Sequence, residues 1–272
     1  MQPVRIAILD MYAGHANQGM RGIRRAVHDL VFPNYCQVFD VRKMHELPDT
    51  AFDIYISSGG PGSPVEEEES WVPRWRKLMD LLWEHNLGKR EDKKHVFLVC
   101  HSFQMLIHHW KMAPVIKRNS QAFGIFPVHK TQDGLREPLF DKLPDPFYAV
   151  DSRNWQVLQP FESVLKKTGA KMLCIEKERP HVPFERAAMG IRFSNEFVGF
   201  QFHPEADEFG MKQYFHRPER KKHVIEKYGI DKYNEMIECL KDKNKIGLTR
   251  STLLPGFLNQ AVKQLRGVEL SR

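Results

Sequence analysis

The sequence has little cysteine. Its four residues, Cys36, Cys100, Cys174 and Cys239, show no CxxC spacing, which excludes a disulfide framework or a zinc ribbon as the basis of the fold. Each thiol must be judged by its own surroundings. Long hydrophobic runs are also missing, since nothing approaches the roughly 18 apolar residues that a membrane helix needs. The opening MQPVRIAILD enters a strand pattern directly rather than a signal-peptide pattern, so the expectation is a cytoplasmic chain without membrane contact. Glycine and proline, 17 of each in 272 residues, are at ordinary levels, and no internal repeat occurs, which argues against a fibrous or disordered chain. What is present, 42% hydrophobic and 11% aromatic residues, suffices for a sizeable core.

Charge divides unevenly along the chain. Residues 1–210 hold 27 basic and 27 acidic residues, whereas residues 211–272 hold 14 against 7, so the net +7 lies in the last segment. A basic surface steers anionic partners. In RPERKKHVIEKYGIDKYNEMIECLKDKNK, however, the basic residues alternate with acidic ones, which reads first as solvated helix surface with i,i+4 pairing. Nucleic acid is not expected as a partner.

The first 130 residues alternate strand-like and helix-like segments, the pattern of a mostly parallel sheet covered by helices on both faces. Val4–Leu9, Cys36–Val41, Phe52–Ile56 and Val96–Val99 read as strands. Helices are expected over 18–31, with Asn17 as N-cap, over 71–87 and over 101–112. Trp71, Trp75 and Leu78 have helix-core spacing. Glu66–Glu69 read as the acidic first turn of the helix that follows Ser57-Ser58-Gly59-Gly60-Pro61-Gly62-Ser63-Pro64, itself a tight loop at a strand's C-terminal end. Short strands are expected at 123–128, 147–150, 155–158, 171–176, 187–193 and 197–202, as a sheet extension or hairpins. The chain then turns helical, with breaks at Gly229, Gly247 and Pro255-Gly256.

Ligands bind at the carboxyl ends of strands in such sheets, and Cys100 stands at a strand-to-helix turn there. Oriented N–H groups and the helix dipole favour a thiolate at that place. The N–H of His101, the next residue, and the side-chain-free Gly59-Gly60 segment are candidates for an oxyanion hole. A thiolate needs a base and an orienting group for that base, and His203-Pro204-Glu205 ends a strand with both types. Cys36, Cys174 and Cys239 read as buried inert thiols. His101, His108 and His109 lack a carboxylate or cysteine to complete a metal set, so no metal or cofactor is expected.

SGGPGSP, Leu98-Val99-Cys100-His101-Ser102-Phe103-Gln104 and GFQFHPE, in this order and at these separations, resemble the class I glutamine amidotransferases across about residues 4–205. AFGIFPV (122–128) is similar to the strand after the elbow in the amidotransferase part of GMP synthases. The resemblance implies a flavodoxin-like α/β domain over 1–210, and the charge and helical pattern of 211–272 lead to the expectation of a basic helical C-terminal extension packed on it. It implies Cys100 as nucleophile, His203 as base and acid, Glu205 as orienter, backbone donors at Gly60 and His101, and substrate contacts from Gln104, Gly59 and Arg153. The implied substrate is L-glutamine, cleaved through a Cys100 thioester to glutamate and ammonia for an acceptor on a separate synthetase partner, since no GxxxxGK[ST] loop is present. Homo-oligomerisation stays open.

Leu98 and Ser102 replace glycines of the family pattern on either side of the nucleophile, which bears on the elbow geometry. Asp151-Ser152-Arg153-Asn154-Trp155 replaces the segment that often grips the glutamine backbone, and surface placement is the first reading of Arg153. Two other functions therefore stand beside the first. One is γ-glutamyl peptide hydrolysis on the same scaffold; the other is a non-catalytic amidotransferase-like binding protein.

Overall fold

Apolar runs of strand length separated by amphipathic helices fold the first half into alternating layers. A computed structural model describes residues 2–15, 17–88, 91–180 and 185–267. It places β1 (Val4–Asp10), α1 (Gln18–His28), β2 (Asn34–Asp40), β3 (Ile54–Ser57), α2 (Trp71–Leu87), β4 (His95–Val99) and α3 (His101–His109) in this order. Then come β5 (Val115–Lys130), β6 (Phe147–Val157), α4 (Glu162–Thr168), β7 (Lys171–Glu176), β8 (Ala188–Arg192) and β9 (Phe197–Phe200). Four helices close the described chain: α5 (Glu208–His216), α6 (Pro218–Tyr228), α7 (Ile230–Cys239) and α8 (Ile246–Arg266). None of the described helices is long and apolar enough to cross a membrane.

The strands form one sheet in the order β2-β1-β3-β4-β9-β8-β7-β5-β6. The α/β expectation holds, but "mostly parallel" narrows to half of the sheet. The pairings from β2 to β9 are parallel, and those from β9 to β6 are antiparallel. The connections explain the change: β7, β8 and β9 follow one another without a crossover helix, and short connections allow only antiparallel neighbours. The parallel half is covered on both faces, by α1 and α8 on one side and by α2 and α3 on the other. Its strand β4 is accordingly buried along its whole length.

Several local expectations are corrected. Glu66–Glu69 precede α2 instead of forming its first turn, and α3 ends at His109 rather than 112. The strands expected at 147–150 and 155–158 are one strand, β6. Gly247 and Pro255-Gly256 do not break the last helix, because α8 runs through them. An interior proline costs about 3 kcal/mol, whereas each large apolar side chain withdrawn from water contributes about 1.5–3 kcal/mol. Leu253, Leu254, Phe257, Leu258 and Val262 of α8 are all buried in the core shared with β1, β3 and β4, so packing outweighs the break. The helices α5, α6 and α7 instead pack on β5 and β6 through a separate cluster containing Phe215, Val224 and Met236.

Candidate active site

The carboxyl ends of β1, β3, β4 and β9 converge. At the end of β4, Cys100 takes φ 45° and ψ −97°, a strained conformation for a side-chain-bearing residue. Two backbone hydrogen bonds hold it there: Cys100 N donates to Phe200 O at 2.7 Å, and Gln104 N donates to Cys100 O at 3.0 Å. The thiol is therefore fixed between β9 and the first turn of α3. Gln201 Nε2 lies 3.6 Å from Sγ, and Ser152 O lies 3.9 Å from it.

Both departures from glycine have structural partners. Leu98 pairs in register with Gly199 of β9, and a Cβ on Gly199 would lie 3.2 Å from Leu98 Cβ. The glycine that the elbow lacks is thus found on the neighbouring strand, which leaves room for the leucine. Ser102 is buried, and its Oγ donates to Ser58 O at 2.6 Å and shares a hydrogen bond with Ser57 Oγ at 2.7 Å. Trp75 Nε1 also donates to Ser57 Oγ, at 3.1 Å. Ser102 therefore ties the elbow helix to the glycine loop.

That loop is held from three sides. Ser58 N donates to Leu9 O at 3.0 Å, Met11 N donates to Ser58 Oγ at 2.9 Å, and Arg42 Nη1 donates to Pro61 O at 2.5 Å. Arg42 is positioned by Glu69, 3.3 Å away, and by the ring of Trp71. Glycine is required here for close approach: a Cβ on Gly60 would lie 2.3 Å from Met11 O, and one on Gly59 would lie 2.9 Å from His203 Cε1 and 3.5 Å from Cys100 Cβ. Gly59, Gly60, Cys100 and His203 are thus brought together.

His203 N donates to Val150 O at 2.8 Å, which fixes the residue against β6. Its Nδ1 lies 2.8 Å from Glu205 Oε1. Burial disfavours charge on this imidazole, but the Glu205 carboxylate and the Cys100 sulfur outweigh it and raise the pKa well above the ordinary histidine value. Glu205 is buried, and its Oε2 has no protein partner among the described residues. The first turn of α1 contains no acidic residue yet lies against this carboxylate: a Cβ on Gly19 would be 2.8 Å from Glu205 Oε1. The positive end of the helix dipole faces the negative charge.

The remaining expected site residues are placed as follows. His101 opens α3 with its side chain buried, and burial together with the charge of Arg42 lowers its pKa to about 3, so the ring is neutral. The side-chain amide of Gln104 donates to Trp155 O and to Gln201 Oε1, each at 3.0 Å, which joins α3 to β6 and β9. Arg153 is buried, not on the surface, and its Nε lies 3.0 Å from each oxygen of Asp151. Its Nη2 reaches Glu176 at 3.1 Å, and Arg118 and Arg179 also pair with Glu176. Cys174 and Cys239 are buried as expected, whereas Cys36, on the edge strand β2, is exposed.

Two residues around the thiol are not among the expected site residues. Gln201 sits between Gln104 and Cys100; its signal is its position inside GFQFHPE. Tyr12 lines the same cavity as Cys100 and His203, and burial, followed by the charges of Glu205 and Cys100, raises its pKa well above the usual phenol value. It remains a protonated phenol. Its signal is its place just beyond β1, at the same sheet edge.

Among solved structures the chain is similar to a glutamine amidotransferase from Thermotoga maritima, with 18% identity and a TM-score of 0.66 over 97% of this chain and 99% of that one. A glutamine amido transferase from Methylobacillus flagellatus matches at 14% identity and a TM-score of 0.65, covering 97% of this chain and 95% of that one. A candidate GMP synthase subunit from Thermoplasma acidophilum matches at 18% identity and a TM-score of 0.53, over 92% and 96% of the two chains. No protein-family model and no curated protein matches the sequence. The likeness extends over nearly the whole chain, and the chain has the α/β fold of the glutamine amidotransferases.

Proposed function

We propose that the protein hydrolyses the side-chain amide of L-glutamine through a thioester on Cys100, as a class I amidotransferase does. The observation that carries this reading is the conjunction of a conformationally strained Cys100 at a helix start with a His203 ring paired at 2.8 Å to the buried carboxylate of Glu205. Glu205 and Cys100 favour the imidazolium form of His203, which suits a thiolate partner. In the first step Sγ bonds to the amide carbon, and the backbone N–H groups of Gly60 and His101 receive the oxyanion. The C–N bond then breaks as His203 gives its proton to the departing ammonia. Water, deprotonated by His203, attacks the thioester carbon and releases glutamate and the free thiolate.

The finer part of the proposal is that ammonia passes to an acceptor on a synthetase partner, supported by the likeness to a candidate GMP synthase subunit. The test of the coarser part needs no partner. Intact-protein mass is measured after exposure to an electrophilic glutamine analogue, with Cys100→Ala as control and glutamine as protectant. One adduct on Cys100, blocked by glutamine and absent from C100A, is expected. An adduct that persists in C100A, or none in the native protein, refutes the reading.

A further inference from the structure

Cys100 and His203 lie in a cavity of about 630 Å³, within the roughly 300–1,000 Å³ of sites for drug-sized ligands. Glutamine is far smaller than such ligands, so it leaves much of this space unfilled. Part of the wall comes from β5, through Gln121 and Phe123, and part from the corner between α5 and α6, through Tyr214, Arg217 and Arg220. Phe123 packs edge-on against Phe215 with ring centres 5.6 Å apart, so this corner is anchored to the sheet.

The charge of this wall is one-sided. Arg217 and Arg220 are exposed, and neither has an ion-pair partner among the described residues. Arg220 is held over the ring of Tyr214 at 5.0 Å. Behind them, Lys227 Nζ donates to Gln121 at 3.1 Å. The one carboxylate among the described lining residues, Glu205, is already engaged by His203. Two guanidinium groups without an ion-pair partner among the described residues, at a cavity whose one described carboxylate is already engaged, match an anion such as carboxylate or phosphate.

We infer that the part of the cavity under Arg217 and Arg220 is an anion subsite, which takes a carboxylate or phosphate group lying beyond the scissile amide nitrogen. The inference rests on the amidase reading of Cys100 for the direction in which the substrate points. The anion has two sources: a substituent carried on the nitrogen of a γ-glutamyl compound, or a separate anionic molecule bound beside glutamine. Either would give the net positive charge of residues 211–272 a place in the chemistry of the site.

The test is calorimetric titration of the full-length Cys100→Ala protein with γ-glutamylglycine, with the uncharged γ-glutamylglycinamide, and with inorganic phosphate in the presence of glutamine. If the anion is a substituent, γ-glutamylglycine binds about tenfold tighter than its amide, as expected for charge-assisted pairing. That preference disappears in Arg217→Ala/Arg220→Ala and reverses in Arg217→Glu/Arg220→Glu. If the anion is a separate molecule, phosphate binds and the same variants abolish its binding. Equal affinity for both γ-glutamyl compounds, with no arginine-dependent phosphate binding, overturns the inference. Labelling of Cys100 in the native protein separates the two failures: labelling without any anion preference defeats the subsite alone, whereas absent labelling defeats the amidase reading and leaves the phosphate titration to decide the subsite.

Discussion

Replacing Ser102 by glycine restores the residue that the class I pattern carries two positions after the nucleophile, yet the structure sets the expectation of a loss. The buried hydroxyl makes two short hydrogen bonds, at 2.6 Å to Ser58 O and 2.7 Å to Ser57 Oγ. At about 0.5–1.5 kcal/mol net for each, their removal costs about 1–3 kcal/mol. Glycine adds up to about 1 kcal/mol relative to alanine in a helix, so Ser102→Ala isolates the hydrogen-bond part. At about 2–4 °C per kcal/mol for a chain somewhat smaller than this, thermal unfolding followed by circular dichroism should register the loss in both variants. The same bonds fix the strand end that leads into Gly60. Loosening it should therefore lower kcat for glutamine about tenfold to a hundredfold, with KM changed much less. An S102G protein that melts at or above the parent temperature and turns over as fast would refute the claim that Ser102 couples elbow and loop.

Gly59→Ala places a methyl group 2.9 Å from His203 Cε1 and 3.2 Å from the Tyr12 hydroxyl, and turnover should fall about a hundredfold or more as the ring is displaced. Parent-like turnover would show that the loop yields freely. Glu205→Gln should change the pH dependence of stability. The pKa of His203 is raised on folding, so its contribution is complete below the unfolded value of about 6.5 and is lost as pH rises through the folded value. The melting-temperature gap between parent and E205Q should therefore be widest near about pH 6 and narrow at alkaline pH. A gap that grows with pH would contradict the assigned pairing.

The elements that sequence reading locates best are those in which local preference and burial agree. Helix α2 begins and ends where the amphipathic pattern of 71–87 predicts, and Asn17 caps α1 by accepting a hydrogen bond from Met20 N at 2.8 Å. For β5 the apolar pattern predicts only residues 123–128, whereas the strand has 16 residues, because its first part is polar and carries a register shift between Lys117 and Ala122. Local propensity cannot announce a pairing that its partner β6 imposes. The continuity of α8 through Pro255 is hidden for a related reason, since the buried apolar residues that maintain it act against distant strands. In the site, Cys100, His203 and Glu205 are legible as motif residues. The burial of Arg153 is not: it depends on Asp151 and on Glu176 of another strand, and nothing in a short window around Arg153 indicates that second partner.

The order in which the sheet is completed differs from the order in which the chain is synthesised. Strand β4, which ends next to Cys100, lies between β3 and β9, so its second neighbour leaves the ribosome long after it. The ring of Phe257 in α8, 5.1 Å from Phe97 of β4, emerges later still. Contacts this far apart in sequence delay folding, and they leave β4 of a growing chain open on one edge and one face. The strained turn at Cys100 therefore takes its final form only after β9 and α8 have joined β4, and a chain that lacks α8 leaves Phe97 and its apolar neighbours on that face uncovered.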